Sequence, residues 1–310
     1  MGNTPYTVRN YHPGDFDNYA RLHEEIEAHD QTGHYLSKQR IVEDLGHPRF
    51  DPEKNLYVAE QDADLIGYFS VFPEPEIGRA LLDGAVHPSH RKRGVATELF
   101  DGAVRHARRA DLNVAQICIA ESNTAAQKMV SGLDMKYIRH FIGFQLDLTG
   151  IQIPEVTSAD YIIRHLRSGE ESQLTAIQNL AFAGAWGFNP NTTEDIVYRV
   201  HLSSCIPEDI LMAYRGDQTV GYCWTRILVN ETSTPKTRTG EIHMIGVDPD
   251  FRKKGLGRNV LLSGLDHLKG KEITKVVLTA DGEDPVPRGL YESVGFRETM
   301  KMQWYEKELL

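Results

Sequence analysis

The sequence has few cysteines and no long apolar run, and both shortages narrow the classes of protein that it can encode. Its 310 residues include three cysteines, Cys118, Cys205 and Cys223, which show neither CxxC nor metal-ligand spacing. An odd number of scattered thiols does not form a disulfide framework and is typical of a reducing cytoplasm. No apolar run approaches the ~20 residues of a membrane span, and residues 1–10 lack the apolar core of a signal peptide. We therefore expect a cytoplasmic protein with no membrane segment and no metal site.

Positive charge is also in short supply. The chain has 34 Lys and Arg residues against 44 Asp and Glu residues, which gives a formal net charge of -10 at pH 7. An acidic balance disfavours broad binding to nucleic acids or to anionic membranes. The run HRKRG, from His90 to Gly94, is a local basic exception, and no aromatic stacking platform accompanies it. We expect no nucleic-acid partner.

An internal repeat organises the sequence. The stretch VHPSHRKRGVATELF from Val86 resembles VDPDFRKKGLGRNVL from Val247, which begins 161 positions later. A chain of this length favours two domains at ~150 residues each, and a repeat makes two homologous domains the natural interpretation. The join falls in a stretch punctuated by Gly150 and Pro154. We predict an N-terminal domain at residues 1–150 and a C-terminal domain at residues 151–310.

Each half shows the same order of predicted elements. A strand is followed by one or two helices, a strand pair, a longer strand and the basic glycine turn. A helix, a strand, a second helix and a final strand then complete the half. This mixture predicts an α/β domain with a mixed sheet.

The glycine turn of the second half has the character of an anion site. A predicted strand from Glu241 to Val247 runs into the turn, and Gly255 and Gly257 open a helix. Helix N-termini present unpaired N–H groups, and glycines let the backbone approach an anion closely. The cations around the turn suit a pyrophosphate, so coenzyme A or a nucleotide is the leading ligand class. Walker and Rossmann fingerprints are absent, and a solvated basic helix start is the alternative.

The two turns resemble the acyl-CoA motif of the GNAT family of N-acetyltransferases, (Q/R)xxGx(G/A). The segment LYESVGF, from Leu290 to Phe296, resembles the closing signature of that family. The resemblance covers the core of both halves and implies two tandem domains, each a central mixed, mostly antiparallel sheet flanked by helices. It also implies acetyl-CoA as co-substrate. The implied coenzyme contacts are Ile245, Gly246, Val247, Arg252, Lys253, Lys254, Gly255, Leu256, Gly257 and Arg258, with Val86, Arg91, Arg93, Gly94 and Ala96 in the first half.

The same resemblance assigns two proton-transfer roles. It implies Glu241 as the base for the amine and Tyr291 as the acid that protonates the departing thiolate. On a strand with a period of two residues, Glu241 shares a face with His243 and Ile245, which makes His243 a second candidate base. Each residue also has a structural alternative: Glu241 as a solvent-facing carboxylate, His243 as a pocket-lining or hydrogen-bonded histidine, and Tyr291 as a core aromatic.

The first half lacks both proposed proton-transfer groups. The 161-residue offset places Ala80 at the position of Glu241 and Val130 at the position of Tyr291. We therefore expect a first domain that is catalytically degenerate while remaining a candidate for coenzyme binding. The alternative for the whole chain is a non-catalytic acyl-CoA sensor or scaffold.

The acceptor is expected to be a small-molecule amine that attacks the thioester directly, in a monomer or homodimer. Trp186 and Phe188 are candidate substrate contacts, although two aromatics packing a helix hairpin would give the same pattern. The polar segment from residue 230 to residue 240 is a candidate cap over the substrate. Cys223 lacks an activating partner in the sequence, so a buried, inert thiol is favoured over an acyl carrier.

Overall fold

The computed structural model describes residues 6–32, 35–230 and 237–309, which divide into two compact units. Unit 1 comprises residues 1–139 together with residues 303–310, and unit 2 comprises residues 140–302. Residues 1–5 and residues 231–236 of the candidate cap lie outside the described residues. The predicted domains, residues 1–150 and residues 151–310, follow the sequence repeat and remain a prediction. The compact units are divided differently, because the end of the chain belongs to unit 1.

Unit 1 is a twisted sheet with helices on both faces. Its strands follow the order β1-β2-β3-β4-β5, in which only the β4 and β5 pair is parallel. The described elements are β1 (Thr7–Asn10), α1 (Phe16–Asp30), α2 (Lys38–Leu45), α3 (Pro52–Asn55), β2 (Leu56–Gln61), β3 (Asp64–Glu74), β4 (Arg79–Val86), α4 (Val95–Arg109), β5 (Val114–Ala120) and α5 (Thr124–Gly132).

Unit 2 repeats this arrangement. Its strands follow the order β6-β11-β10-β9-β8-β7, in which only the β10 and β11 pair is parallel. The elements are β6 (Lys136–Asp147), β7 (Ile162–His165), α6 (Glu171–Ala181), α7 (Thr193–Val200), β8 (Ile210–Arg215), β9 (Gln218–Asn230), β10 (Thr237–Val247), α8 (Leu256–Gly270), β11 (Lys275–Asp281), α9 (Pro285–Val294) and β12 (Arg297–Glu308), of which β6 and β12 also contribute residues to unit 1. The predicted α/β class with a mixed, mostly antiparallel sheet is confirmed.

Helices cover both faces of the unit 2 sheet because both faces are apolar. On one face, Val260 and Leu265 of α8 lie in a core cluster with the sheet. On the other face, Leu174 of α6 and Ile196 of α7 lie in a cluster with Trp224 of β9. A Cβ atom on Gly264 would approach the Cys223 Sγ to 2.5 Å, so a glycine lets α8 lie close to the sheet.

The last residues of the chain belong to the core of unit 1. Tyr305 and Leu309 are 8% and 4% exposed and lie in the main unit 1 core cluster. The Arg108 Nε donates to the Leu309 carbonyl at 2.9 Å, which ties α4 to the chain end. Among the described residues, no helix combines the length and the apolar character that crossing a bilayer requires.

Candidate active site

The candidate site of unit 2 forms where two parallel strands part. β10 and β11 pair only at Gly240 with Val276 and at Glu241 with Val277. β10 then continues to Val247 with its other edge on β9. From Ile242 to Val247, the edge that faced β11 has no strand partner in the described parts of the chain. An open strand edge presents N–H and C=O groups that can pair with the amides of an extended ligand.

A β-bulge lies at the start of this open edge. His243 is the extra residue in the ladder between β10 and β9. The bulge changes the side-chain alternation, so Ile242 and Ile245 both pack against the α8 cluster while Met244 packs against the α6 and α7 cluster. The prediction that Ile245 shares a face with Glu241 is therefore wrong. It assumed an unbroken period of two residues, and a single inserted residue reverses every later side chain.

The two candidate bases lie side by side. The Glu241 Oε2 and the His243 Nδ1 are 3.7 Å apart, and the two side chains are 29% and 21% exposed. The His243 ring packs edge-on against Trp224 at 5.2 Å between centroids. Arg226, which pairs with Glu241 across the ladder, lies over the same indole. This places Glu241 and His243 on the sheet face that packs against α6 and α7.

Tyr291 is a buried aromatic residue of α9. It is 6% exposed, and its ring lies 5.7 Å from the Phe144 ring and 6.0 Å from the Phe296 ring. Its hydroxyl makes no hydrogen bond to any other described residue. Burial, with the nearby Cys223 thiol and the Asp284 charge, raises the pKa of Tyr291 well above its usual value. The phenol therefore keeps its proton, as a general acid must before it acts.

The glycine turn of unit 2 has the backbone of an anion nest. Lys253 and Gly255 adopt left-handed conformations, with φ of 59° and 84°, immediately before α8 begins at Leu256. No side chain caps the helix, so its first N–H groups are directed at the turn. Exposed Lys254 and Arg258 add charge at the same place. Gly257, one residue into the helix, leaves room for a close approach.

The corresponding turn of unit 1 has the same conformation. Lys92 and Gly94 have φ of 61° and 86° before α4 begins, again without a side-chain cap. Arg93 bonds to the His90 ring at 2.8 Å, and Ala96 is partly buried beside the core. Both copies of the repeat therefore form the turn that the sequence predicts.

The first arginine of each motif braces its turn against the preceding strand. The Arg252 Nε donates to the Val247 carbonyl at 3.2 Å, and its Nη2 donates to the Ala181 carbonyl at 2.6 Å. The Arg91 Nε donates to the Val86 carbonyl at 2.9 Å. Because both guanidinium groups are bound to main-chain oxygens, we assign these arginines to positioning the turn.

In unit 1, the parallel strands β4 and β5 stay paired further along the chain than β10 and β11 do in unit 2, and β4 has no bulge. β4 and β5 stay paired as far as Leu82 with Ile117, so the open edge begins at Asp83. The β3 and β4 ladder runs without a register shift. Ala80, at the position that corresponds to Glu241, is fully buried. Val130, which corresponds to Tyr291, is also fully buried in the unit 1 core.

The two nests differ in charge at the fourth residue of the helix that follows, where unit 1 has Glu98 and unit 2 has Asn259. In unit 1, Tyr6 lies beside Gly94, and burial together with a hydrogen bond to Glu98 raises the pKa of Tyr6. In unit 2, the Asn259 side chain donates instead to the Tyr161 hydroxyl. Glu98 and Asn259 both lie in the first turn of the helix after the nest. A carboxylate there opposes a second anion, whereas an amide does not.

We expect the Asn259→Glu variant to bind coenzyme A about fivefold more weakly in unit 2, since the added charge costs roughly 1 kcal/mol at a helix N-terminus. Glu98→Gln should strengthen binding in unit 1 by a similar factor. Calorimetric titration of coenzyme A at low and high salt measures both changes. Equal affinities across all three proteins would show that the pyrophosphate does not lie at these helix ends.

The remaining predicted site residues lie in unit 2. Trp186 packs against Phe141 at 5.9 Å, and Phe188 stacks on Phe182 at 5.3 Å, at the end of α6. All four rings are partly buried, so the structure is compatible with packing and with substrate contact. Cys223 is fully buried, and burial raises the pKa of its thiol to about 12. This supports the inert thiol over the acyl carrier.

Sequence reasoning missed two buried polar groups of unit 2. Gln178 on α6 and Tyr222 on β9 are both fully buried. Within the described ranges, the Gln178 Nε2 and the Tyr222 hydroxyl have no hydrogen-bond partner. The available signal was helical spacing, because Gln178 occupies a core-facing position between Leu174 and Ala181. Such groups are costly to bury and mark places where a ligand can complete the hydrogen bonding.

Comparison with known proteins matches both halves of the chain. The model of the Acetyltransferase (GNAT) family matches residues 18–133 and residues 174–296. The mycothiol acetyltransferase of Nocardia farcinica is 28% identical over 271 residues, with 84% of each chain covered. That of Thermomonospora curvata is 30% identical over 244 residues, with 76% of each chain covered. In the sequence, the tandem pair of domains resembles mycothiol synthase, and the local similarity is strongest in GEIHMIGVDP and GLYESVGF of the second half.

Solved structures share the fold along nearly the whole chain. A GCN5-related N-acetyltransferase from Sphaerobacter thermophilus has a TM-score of 0.74 at 22% identity, covering 99% of this chain and 97% of that one. A tandem GNAT protein from the clavulanic acid biosynthesis pathway has a TM-score of 0.72 at 17% identity, covering 99% of each chain. At these identities the likeness concerns the fold.

Proposed function

Because the chain belongs to the GNAT family and is an N-acetyltransferase, we propose that unit 2 transfers an acetyl group from acetyl-CoA to a primary amine of a small molecule. The observation that carries this proposal is the parting of β10 from β11 immediately after Glu241. One opening then offers a strand edge for the acyl donor, a nest for its pyrophosphate and a carboxylate for the amine.

Acetyl-CoA would be held by main-chain groups in two places. Its pyrophosphate would lie on the N–H groups that follow Gly255, with Lys253, Lys254 and Arg258 supplying charge. Its pantetheine amides would pair with the open edge from Ile245 to Val247, as an added strand does. The left-handed Lys253 and Gly255 fit this role, because they turn successive N–H groups toward one point.

The proposed reaction is direct attack of the amine on the thioester. Glu241 accepts a proton from the ammonium group, with His243 as the second candidate base. The amine nitrogen then forms a bond to the acetyl carbon, and main-chain N–H groups near the bulge stabilise the developing oxyanion. The carbon–sulfur bond breaks as the thiolate leaves and takes the proton of the Tyr291 hydroxyl, and the second proton lost by the nitrogen as the amide forms restores that hydroxyl. No covalent enzyme intermediate is needed.

Unit 1 would contribute no catalysis of this kind. Buried Ala80 and Val130 occupy the positions of the proposed base and acid. The open edge of β4 is also shorter than that of β10 and lacks the bulge. Family membership favours an enzyme over the sensor or scaffold alternative for the whole chain.

The acceptor belongs to the proposal as well. The relatives are named for mycothiol, which supports a small-molecule amine acceptor of that kind. Trp186 and Phe188 lie in the loop between α6 and α7, the two helices that cover the sheet face of Glu241. They remain candidate contacts for the acceptor.

The Arg252→Ala variant tests which unit acts on acetyl-CoA. Losing the two hydrogen bonds of Arg252 to main-chain oxygens should loosen the nest and raise the KM for acetyl-CoA about tenfold, at roughly 1.4 kcal/mol. Arg91→Ala is the matched control, since it removes the equivalent brace in unit 1. Steady-state kinetics should show an unchanged KM for Arg91→Ala. The reverse result would assign catalysis to unit 1.

A further inference from the structure

We propose that unit 1 binds an organic primary ammonium ion at a cluster formed by Tyr19 and His23 of α1, Asp44 of α2, Tyr68 of β3 and Asp83 of β4. This site, called here the Tyr19–Asp83 cluster, is separate from the acceptor site proposed in unit 2. Aligning the two sequence halves at the 161-residue offset does not reveal this cluster, because the alignment places Ala80 at the position of Glu241.

Asp83 occupies a place in unit 1 that resembles the place of Glu241 in unit 2. Leu82 is the last residue of β4 that pairs with β5, so Asp83 is the first residue of the open edge. Leu82 and Val86 pack into the cluster that contains α4, while Ala85 packs into the cluster of α1 and α2. Since side chains alternate along an unbroken strand, Asp83 faces α1 and α2. Each unit thus places a carboxylate where its parallel strands part, on the side of its first two helices.

Three aromatic rings pack together beside this exposed carboxylate, and one of them contacts it. The Tyr68 hydroxyl donates to the Asp83 Oδ2 at 3.0 Å, which fixes the orientation of the carboxylate. The His23 ring centroid is 4.6 Å from the Tyr68 ring and 4.6 Å from the Tyr19 ring. The Tyr19 and Tyr68 rings meet edge to face at 5.2 Å. Aromatic faces beside an anchored carboxylate are the surroundings that favour an organic cation.

Two polar groups of the cluster have unused hydrogen-bonding capacity. Tyr19 is 7% exposed, and its hydroxyl bonds to no other residue in the described ranges. Burial, followed by the charges of Asp83 and Asp44, raises the pKa of Tyr19 well above its usual value, so the phenol keeps its proton. The His23 Nε2 is buried and likewise has no partner among the described residues. Burial lowers the pKa of His23, so the ring stays neutral and retains an acceptor nitrogen.

The charges select the kind of ligand. Asp44 pairs with Arg40 at 3.0 Å, whereas Asp83 accepts a hydrogen bond from the neutral Tyr68 hydroxyl. The surplus negative charge disfavours anions such as phosphate or carboxylate. The described parts of the chain contain no group of three or more His, Cys, Asp or Glu side chains that could hold a metal ion. A primary ammonium ion fits, because its three N–H donors match the Asp83 carboxylate, the acceptor nitrogen of His23 and the Tyr19 oxygen.

The test titrates benzylammonium chloride into the full-length protein at pH 7 without acetyl-CoA, with calorimetric detection. Benzyl alcohol, a neutral molecule of similar shape, is the control ligand. We expect benzylammonium to bind and benzyl alcohol not to bind. Asp83→Asn should weaken the unit 1 site at least tenfold, because a charge-assisted hydrogen bond is lost, and Tyr19→Phe should weaken it about threefold. Equal binding of the alcohol and the ammonium ion would overturn the proposal.

A matched variant in unit 2 separates this proposal from the proposed function. Glu241→Gln should leave the Asp83-dependent site intact while acetyl transfer is lost. If Glu241→Gln abolishes all benzylammonium binding, or if Asp83→Asn and Tyr19→Phe bind as the wild type does, unit 1 has no amine site. Thermal unfolding verifies that each variant is folded. Should Asp83→Asn unfold, Tyr19→Phe decides, since a phenyl ring preserves the packing and removes only an oxygen.

Discussion

Replacing Glu241 with glutamine should lower acetyl transfer by about 10²- to 10⁴-fold at neutral pH, the range expected for the loss of a positioned general base. The side chain lies at the last paired residue of β10 and remains 29% exposed, so it can reach an amine in the opening. Glutamine preserves the shape but cannot accept the ammonium proton. The KM for acetyl-CoA should change little, because the nest lies at the other end of the open edge.

The loss should shrink as the pH rises. An alkylammonium with a pKa near that of lysine, about 10.4, is almost fully protonated at pH 7 and depends on the base. Near its own pKa the amine is already free, so the missing carboxylate matters less. The ratio of wild-type to Glu241→Gln rates, measured from pH 7 to pH 10, should therefore fall steadily.

Two further variants make the result specific. Glu292→Gln alters an exposed carboxylate of α9 that pairs with Arg288, and it should retain full activity. His243→Gln tests the second candidate base, which lies 3.7 Å from Glu241. Full activity of Glu241→Gln together with a large loss in His243→Gln would transfer the role to the histidine.

Replacing Tyr291 with phenylalanine should lower kcat by about 10²-fold or more with little change in acetyl-CoA affinity. The hydroxyl would act only when the thiolate departs, so the ground-state complex does not depend on it. Because burial keeps the pKa of Tyr291 well above the usual value, the proton is present throughout the neutral and mildly alkaline range. The wild type should accordingly show no loss of activity from tyrosine ionisation below about pH 10, the unperturbed value.

Stability measurements separate this role from simple packing. The Tyr291 hydroxyl bonds to no described residue, so its removal should leave the thermal midpoint almost unchanged. Tyr305→Phe, which alters a buried tyrosine of the unit 1 core, should leave kcat unchanged. A Tyr291→Phe enzyme with wild-type kcat would mean that this residue is a core aromatic and that another group protonates the thiolate.

Several features of the site could be predicted from residue spacing. The glycine turns form as expected, since Gly94 and Gly255 tolerate φ of 86° and 84° that other residues resist. The order of strands and helices in each half also follows the predicted order. These features depend on local chain stiffness, hydrogen bonding and periodicity, which adjacent residues specify.

The features that were not predicted depend on contacts between distant segments. The bulge at His243 lies where β10 stays paired with β9 but no longer pairs with β11. No short sequence pattern predicts such an inserted residue. Gln178 and Tyr222 are buried with unused polar atoms because of what packs over them.

The sequence by itself determined the tandem repeat, the mixed α/β architecture and the position of the two anion nests, because each is encoded in local spacing. Only the tertiary structure decided which unit receives the last residues of the chain and which side chains face each opening. Asp83 shows the reason. Its environment comes from α1, α2 and β3, whose residues lie up to sixty-four positions away, from Tyr19 to Asp83. Strand register and helix packing, set by the burial of whole apolar faces, bring such residues together.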